Sequence, residues 1–258
     1  MKQKHAMKLL SALVAAVALA GIVASSASAA PPAPPYSQFK GCPNEAKVGG
    51  CFRSVVTGGT FKMGSKEVPI EKPFELRGGL PVGFGPLYFN SEGGLEVVKQ
   101  KVPGGVVGLT GLTWLLELLG SEALTLYAAT ELAGTPIIEG FKAVSLPIKV
   151  HLINSTLGNN CYVGSTSNPI ALHLLLTNTT VNTFDPVTEI LSAKGGIYED
   201  KTFSAPGASG CVLTLFGFIP ISINGLVNTQ SGLPSPSGNN KAVQNIDAEL
   251  VERELVYP

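Results

Sequence analysis

Val144-Ser145-Leu146-Pro147-Ile148-Lys149-Val150-His151-Leu152 alternates apolar and polar positions. Val144, Leu146, Ile148, Val150 and Leu152 fall on one face. Ser145, Pro147, Lys149 and His151 fall on the other. A period of two predicts a strand with one face in a core and one toward water. Pro147 has no amide hydrogen, so it is expected where the strand is unpaired, at an edge or a bulge.

The same pattern recurs on both sides of this stretch. Strands are predicted near 87–89, 95–98 and 124–129, and again at 161–164, 170–176, 187–193, 211–217, 219–227 and 245–251. Arg53–Thr57 and Thr60–Met63, separated by Gly58-Gly59, read as a hairpin. Further turns are predicted at Gly158-Asn159-Asn160, Gly195-Gly196, Pro206-Gly207 and 234–240. Short strands spaced by Gly, Pro and Asn predict an all-β fold, an antiparallel sandwich or barrel.

One stretch departs from alternation. Leu109–Leu119 contains paired leucines, and 111–119 reads as a short helix with Thr113 as its N-cap and Gly120 as its stop. Leu112, Leu115, Leu116 and Leu119 recur at spacings of three and four, so they are expected to face the sheet. Trp114 is then partly covered. The alternative is an exposed interaction surface of Leu112, Trp114, Leu115, Leu116 and Leu119. No Lys or Arg lies between Lys101 and Lys142.

The first 29 residues read as a secretory signal peptide. Lys2, Lys4 and Lys8 precede an apolar run from Leu9 to Ala24, and Ala27-Ser28-Ala29 supplies the small residues of a cleavage site. The run is too short for a bilayer span, so no transmembrane segment is expected after cleavage. The protein is therefore expected to be secreted, extracellular or cell-wall associated. A Pro-rich linker is expected over 30–40 and a single β domain over 41–258.

The whole chain has 18 Lys+Arg and 18 Asp+Glu. Loss of the three signal-peptide lysines leaves 15 against 18, a net charge of −3. Arg occurs only at 53, 77 and 253, and no basic block exists. Nucleic acid is not an expected partner, because phosphate binding needs clustered cations. Cys42, Cys51, Cys161 and Cys211 form an even set in an exported chain, which reads as two disulfides. Three pairings are possible. Cys42–Cys51 across a short Gly/Pro loop is favoured, and with it Cys161–Cys211.

No catalytic site emerges. Beyond the signal peptide there are two histidines, His151 and His173, and three aspartates, Asp185, Asp200 and Asp247. Both histidines fall on predicted strands, and Gly207-Ala208-Ser209-Gly210 lacks the spacing of a nucleophile elbow. No ligand spacing implies a metal, and no motif implies a cofactor. Asn154-Ser155-Thr156 and Asn178-Thr179-Thr180 fit the glycosylation pattern. The polar loops 153–168 and 228–240 are candidate sugar- or partner-binding segments.

Two strings, Leu157–Ser165 and Gly232–Asn240, resemble segments of secreted actinobacterial proteins of unknown function. The resemblance implies an envelope or extracellular location and transfers no catalytic residue. The expected function is a non-enzymatic structural or binding protein, with a cell-envelope component or self-association as its partner. The alternatives are an extracellular hydrolase with an unrecognised site, and a membrane-active or oligomerising protein using segment 103–141.

Overall fold

The computed structural model describes Pro32 and residues 35–140, 142–215 and 219–258. The signal-peptide segment, residues 1–29, lies outside the described residues. From Pro31 onward the chain forms one compact unit.

The fold is mainly β. The first six strands are β1 (Val48–Met63), β2 (Lys66–Pro69), β3 (Phe74–Pro81), β4 (Gly85–Pro86), β5 (Gly94–Leu95) and β6 (Lys99–Lys101). Helices α1 (Gly105–Thr110) and α2 (Trp114–Ala123) follow. Next come β7 (Tyr127–Leu132), β8 (Ile137–Gly140), β9 (Ala143–Ile153), β10 (Tyr162–Val163), β11 (Ile170–Leu176) and β12 (Val181–Phe184). The chain continues through β13 (Leu191–Asp200), β14 (Ala208–Ser209), β15 (Val212–Leu215) and β16 (Ile219–Ser222). It ends with α3 (Asn224–Ser231), β17 (Lys241–Glu252) and α4 (Arg253–Val256). All but β15 and β16 belong to one sheet.

Two long strands act as spines. Along one side of β9 the partner changes from β8 to β7, and along the other from β11 to β10. Pro147 sits where β8 has ended at Ser145 and β7 begins at Ile148, so the missing amide falls between partners. The alternation read from 144–152 is met from Leu146 on: Leu146, Ile148, Val150 and Leu152 are buried, and their polar neighbours are half-exposed. Strand β1 likewise pairs with β3 over 48–56 and with β2 over 60–63.

The predicted hairpin at Gly58-Gly59 is not a turn. Strand β1 runs through it, and the register against β17 slips there by one residue. Gly195-Gly196, also expected to turn, is a bulge inside β13 against the same stretch of β17. The two bulges flank Ile246 and Asp247, and Asp247 Oδ1 accepts from Gly195 N at 2.8 Å. A bulge adds a residue on one strand only and so bends and twists the pair.

The bending curls the sheet. Strands β6, β7, β9, β11, β13, β17, β1 and β2 follow one another in antiparallel ladders. The β2 end then meets β6 without a ladder. Gln100 bridges the gap: its Oε1 accepts from Glu71 N and Lys72 N, and its Nε2 donates to Lys72 O at 2.6 Å. The main core fills this curl and includes Val106, Leu115, Leu126, Ile148, Ile170 and Leu172.

A second, smaller core joins the two ends of the described chain. Phe39, Cys42, Val48, Cys51, Val251 and Val256 pack together. Part of the expected 30–40 linker therefore belongs to the fold, since Phe39 is fully buried in a 3-10 turn over Ser37–Phe39. The segment 219–227, expected as one strand, is β16 followed by α3.

Candidate functional site

The four cysteines pair as favoured. Cys42–Cys51 and Cys161–Cys211 have Cα separations of 5.4 and 4.1 Å. All four are fully buried, and neither bridge is poised at the surface for exchange.

The expected helix at 111–119 is displaced. Gly105–Thr110 forms α1, Gly111 ends it with a positive φ of 73°, and α2 begins at Trp114. Thr113 occupies the N-cap position but makes no side-chain cap bond. Gly120 is non-helical, so the regular turn of α2 stops there. The inward face is also corrected. Only Leu115 enters the core, at 1% exposure. Leu112 is half-buried and packs on that core. Trp114, Leu116, Leu118 and Leu119 stand out at 44, 45, 61 and 40%. The reason is the glycine stop: a helix this short presents one narrow strip to the sheet, and the remaining leucines have nothing to cover them.

The histidines lie on the outer face of the sheet, in two polar clusters. His173 Nε2 lies 2.8 Å from Glu139 Oε2, and Ser145 Oγ donates to Glu139 Oε1. Ser145 first, and His173 after it, hold the Glu139 carboxyl below its ordinary range. A hydrolytic triad needs the imidazole between hydroxyl and carboxylate. Here the carboxylate stands between the other two, so the imidazole does not contact Ser145 and the triad order is not met. Around His151, Glu131 gathers Lys149 Nζ at 3.1 Å and Tyr162 Oη at 3.3 Å, and the His151 ring stacks on Tyr162. Burial, and then Glu131, push the Tyr162 hydroxyl up. No serine, threonine or cysteine is among the side chains of that cluster. Asp200 accepts from His173 N and from Thr202, Asp185 closes its own turn, and Asp247 braces a bulge. No group of three or more His, Cys, Asp or Glu side chains among the described residues is placed to hold a metal.

The two candidate glycosylation asparagines support backbone. Asn154 Nδ2 donates to Ala123 O and Thr125 O at 2.8 and 2.7 Å, tying the end of α2 to the 154–157 turn. Asn178 donates to Gly195 O and accepts from Ile197 N, which holds the β13 bulge. In the 228–240 loop, buried Asn240 donates to Phe203 O and accepts from Gly64 N.

What sequence reading missed is inside the curl. An apolar cavity of about 80 Å³ lies between β1–β2 and β9. Phe61, Met63 and Val68 wall one side, and Leu146, Ile148 and Val150 the other. Helices α1 and α3 contribute Leu109 and Ser231. The Ser231 hydroxyl is buried with no hydrogen-bond partner among the described residues. Gln244 lines the wall from β17 and is buried. Lys66 is the one charged lining residue; its Nζ donates to Gly108 O of α1 at 2.6 Å. Cavities of this kind stay dry or take apolar guests. The inward alternation of β9 was visible in the sequence, but the void is set by how far the sheet curls. The chain matches no protein-family model, no curated protein and no solved structure.

Proposed function

We propose that this is a secreted or envelope-associated, non-enzymatic binding protein, whose receptor site is the apolar cavity within the curled sheet. The cavity carries the proposal: it is a concave, largely apolar recess inside the curl, walled by side chains of β1, β2 and β9. The serine–carboxylate–imidazole order at Ser145, Glu139 and His173 argues against hydrolysis. Two buried disulfides, the signal-like first 29 residues and the resemblance to secreted actinobacterial proteins support export. The test is expression in an actinobacterial host with the protein recovered from the medium. Material beginning at Ala30, and xenon perturbing the Ile148 and Val150 methyl signals, are expected. Turnover of an ester, glycoside or peptide substrate that His173→Ala abolishes without unfolding would overturn it.

A second function rests on α2. Trp114, Leu116, Leu118 and Leu119 are exposed on both sides of buried Leu115 and make α2 an apolar strip of sequence, with no cation from Val102 to Phe141. Exposed apolar patches mark assembly or membrane surfaces. No helix among the described residues is long and apolar enough to cross a membrane, so contact would be at a surface. Sedimentation and liposome flotation of Leu118→Ser against the parent protein decide whether the strip self-associates or meets lipid.

A further inference from the structure

We propose that β12 is an edge through which two copies of this chain pair antiparallel, with Thr183 on the two-fold axis. This surface is separate from the cavity and from α2.

The edge exists because β9 stops short. Strands β11 and β12 follow one another along the same side of β13: Leu175 and Leu176 pair with Glu199 and Tyr198, and Val181–Phe184 with Leu191–Lys194. Strand β9 begins at Ala143, opposite Leu175, so it covers β11 and not β12. Among the described residues β12 has no ladder partner besides β13, and all four of its residues are exposed. The other strands of the large sheet with one ladder partner are guarded in ways that block further pairing. Strand β2 carries Lys66 and Pro69, β4 carries Pro86, β5 and β14 are two residues each, and β6 meets β2 through Gln100. Strand β12, Val-Asn-Thr-Phe, has neither proline nor charge.

The backbone fixes which register two such edges would take. Asp185 N donates to Ile190 O. Bonded and non-bonded pairs alternate along an antiparallel ladder, so Thr183 and Val181 turn their backbone groups to β13. Asn182 and Phe184 then turn theirs outward. Centred on Thr183, Asn182 of each copy faces Phe184 of the other, and each pair exchanges both its bonds. Centring on Phe184 would set Asn182 against Pro186, which has no donor. Centring on Asn182 would set Phe184 against Thr180, outside the strand.

The side chains are complementary in that register. Phe184 is 59% exposed and reaches Phe184 of the second copy on the diagonal. On the opposite face Asp185 falls beside Val181 of the second copy, whose β13 neighbour is Lys194. Lys194 forms no ion pair among the described residues, unlike Lys149, Lys201 and Lys241. The two-fold axis brings each copy's acid toward the other's unpaired ammonium. That self-complementarity favours a second copy over an unrelated strand.

The experiment is sedimentation equilibrium of the protein and its variants, with cysteine cross-linking to read the register. A reversible dimer is expected. Asn182→Pro removes an outward amide and no bond to β13, and should raise the dissociation constant at least tenfold without lowering the melting midpoint of dilute protein. Phe184→Lys should do the same and serves if the proline variant fails to fold. At a non-bonded pair the Cα atoms are about 4.5 Å apart, within disulfide range. Thr183→Cys should therefore oxidise to a covalent dimer, and Val181→Cys, facing Asp185, should not. A parent protein that is monomeric at its highest soluble concentration overturns the self-pairing. So does a dimer that Asn182→Pro and Phe184→Lys leave intact and Leu118→Ser dissolves, or one that Val181→Cys links as readily as Thr183→Cys.

Discussion

The side-chain amide of Gln100 pairs with the backbone of Lys72 in both directions, accepting from its N–H at 3.0 Å and donating to its carbonyl at 2.6 Å. This is the exchange two residues make in an antiparallel ladder, performed here by a side chain. It stands at the one junction of the curl where strand pairing fails. Gln100→Met keeps the bulk and removes all three bonds, counting the one from Glu71 N. A loss of about 0.5–1.5 kcal/mol is expected, the net worth of a typical hydrogen bond, since the freed Glu71 and Lys72 backbone groups belong to exposed residues and can turn to water. Urea unfolding measures it, and an unchanged midpoint would show the seam to be held by packing alone.

The double glycines separate two kinds of bulge. Gly59 has φ +129°, and a Cβ there would lie 2.0 Å from Val243 O. Gly195 has φ +71° and open space around it. Gly59→Ala must therefore move backbone and should cost about 2 kcal/mol or more. Gly195→Asn should cost under about 1 kcal/mol, because asparagine tolerates the left-handed region. Equal destabilisation in thermal melts would contradict the steric distinction.

Those glycines also mark the limit of what the sequence discloses. The facing of β9 from Leu146 on was legible from alternation, and the disulfide pairing from loop length and composition. Gly58-Gly59 and Gly195-Gly196 were legible as punctuation but not in kind. A hairpin turn and a bulge both need glycine, and only the partner strand, Ile246–Asp247, decides between them. Leu116 and Leu119 have the spacing of a buried face, yet α2 is too short to bring them to the core. The cavity was not legible, because no local pattern encodes the curl that leaves it.

Removing the two disulfides should have unequal effects. Cys161–Cys211 spans 50 residues and sits in the main core; Cys42–Cys51 spans 9 in the smaller one. The chain-entropy model gives roughly 4.1 and 2.7 kcal/mol. Cys161→Ser with Cys211→Ser is thus expected to lower the unfolding midpoint further than Cys42→Ser with Cys51→Ser. The reverse order would place the stability of the fold in the terminal core.

Acid should weaken the β3–β1–β17 face. Arg53, hydrogen-bonded at 2.5 Å, holds the Glu75 carboxyl below its ordinary value of 4.5, with Arg77 adding to it. Lys201 and then Lys241 do the same for Glu199. A carboxylate with a depressed folded pKa contributes stability that is present above its unfolded pKa and lost as pH falls through the folded one. Stability should therefore decline from about pH 4.5 downward. Glu75→Gln should flatten part of that decline and lower stability at pH 7. A variant with the parent's acid profile would remove Glu75 from the account.

Leu115 and Leu116 are neighbours with opposite surroundings, and they test the placement of α2. Leu115 is 1% exposed and belongs to the main core; Leu116 is 45% exposed. Leu115→Ala deletes buried methyl groups and leaves a void, so a loss of about 2–5 kcal/mol is expected. Leu116→Ala should change monomer stability by less than about 0.5 kcal/mol, as surface substitutions do. If the apolar strip is an assembly or lipid surface, Leu116→Ala and Leu118→Ser should reduce sedimenting oligomers or liposome-bound protein while the melting midpoint holds. If both leave sedimentation and flotation unchanged, the strip is solvent-facing in function as well as in structure. A large stability loss in Leu116→Ala would mean that α2 packs with its other face inward.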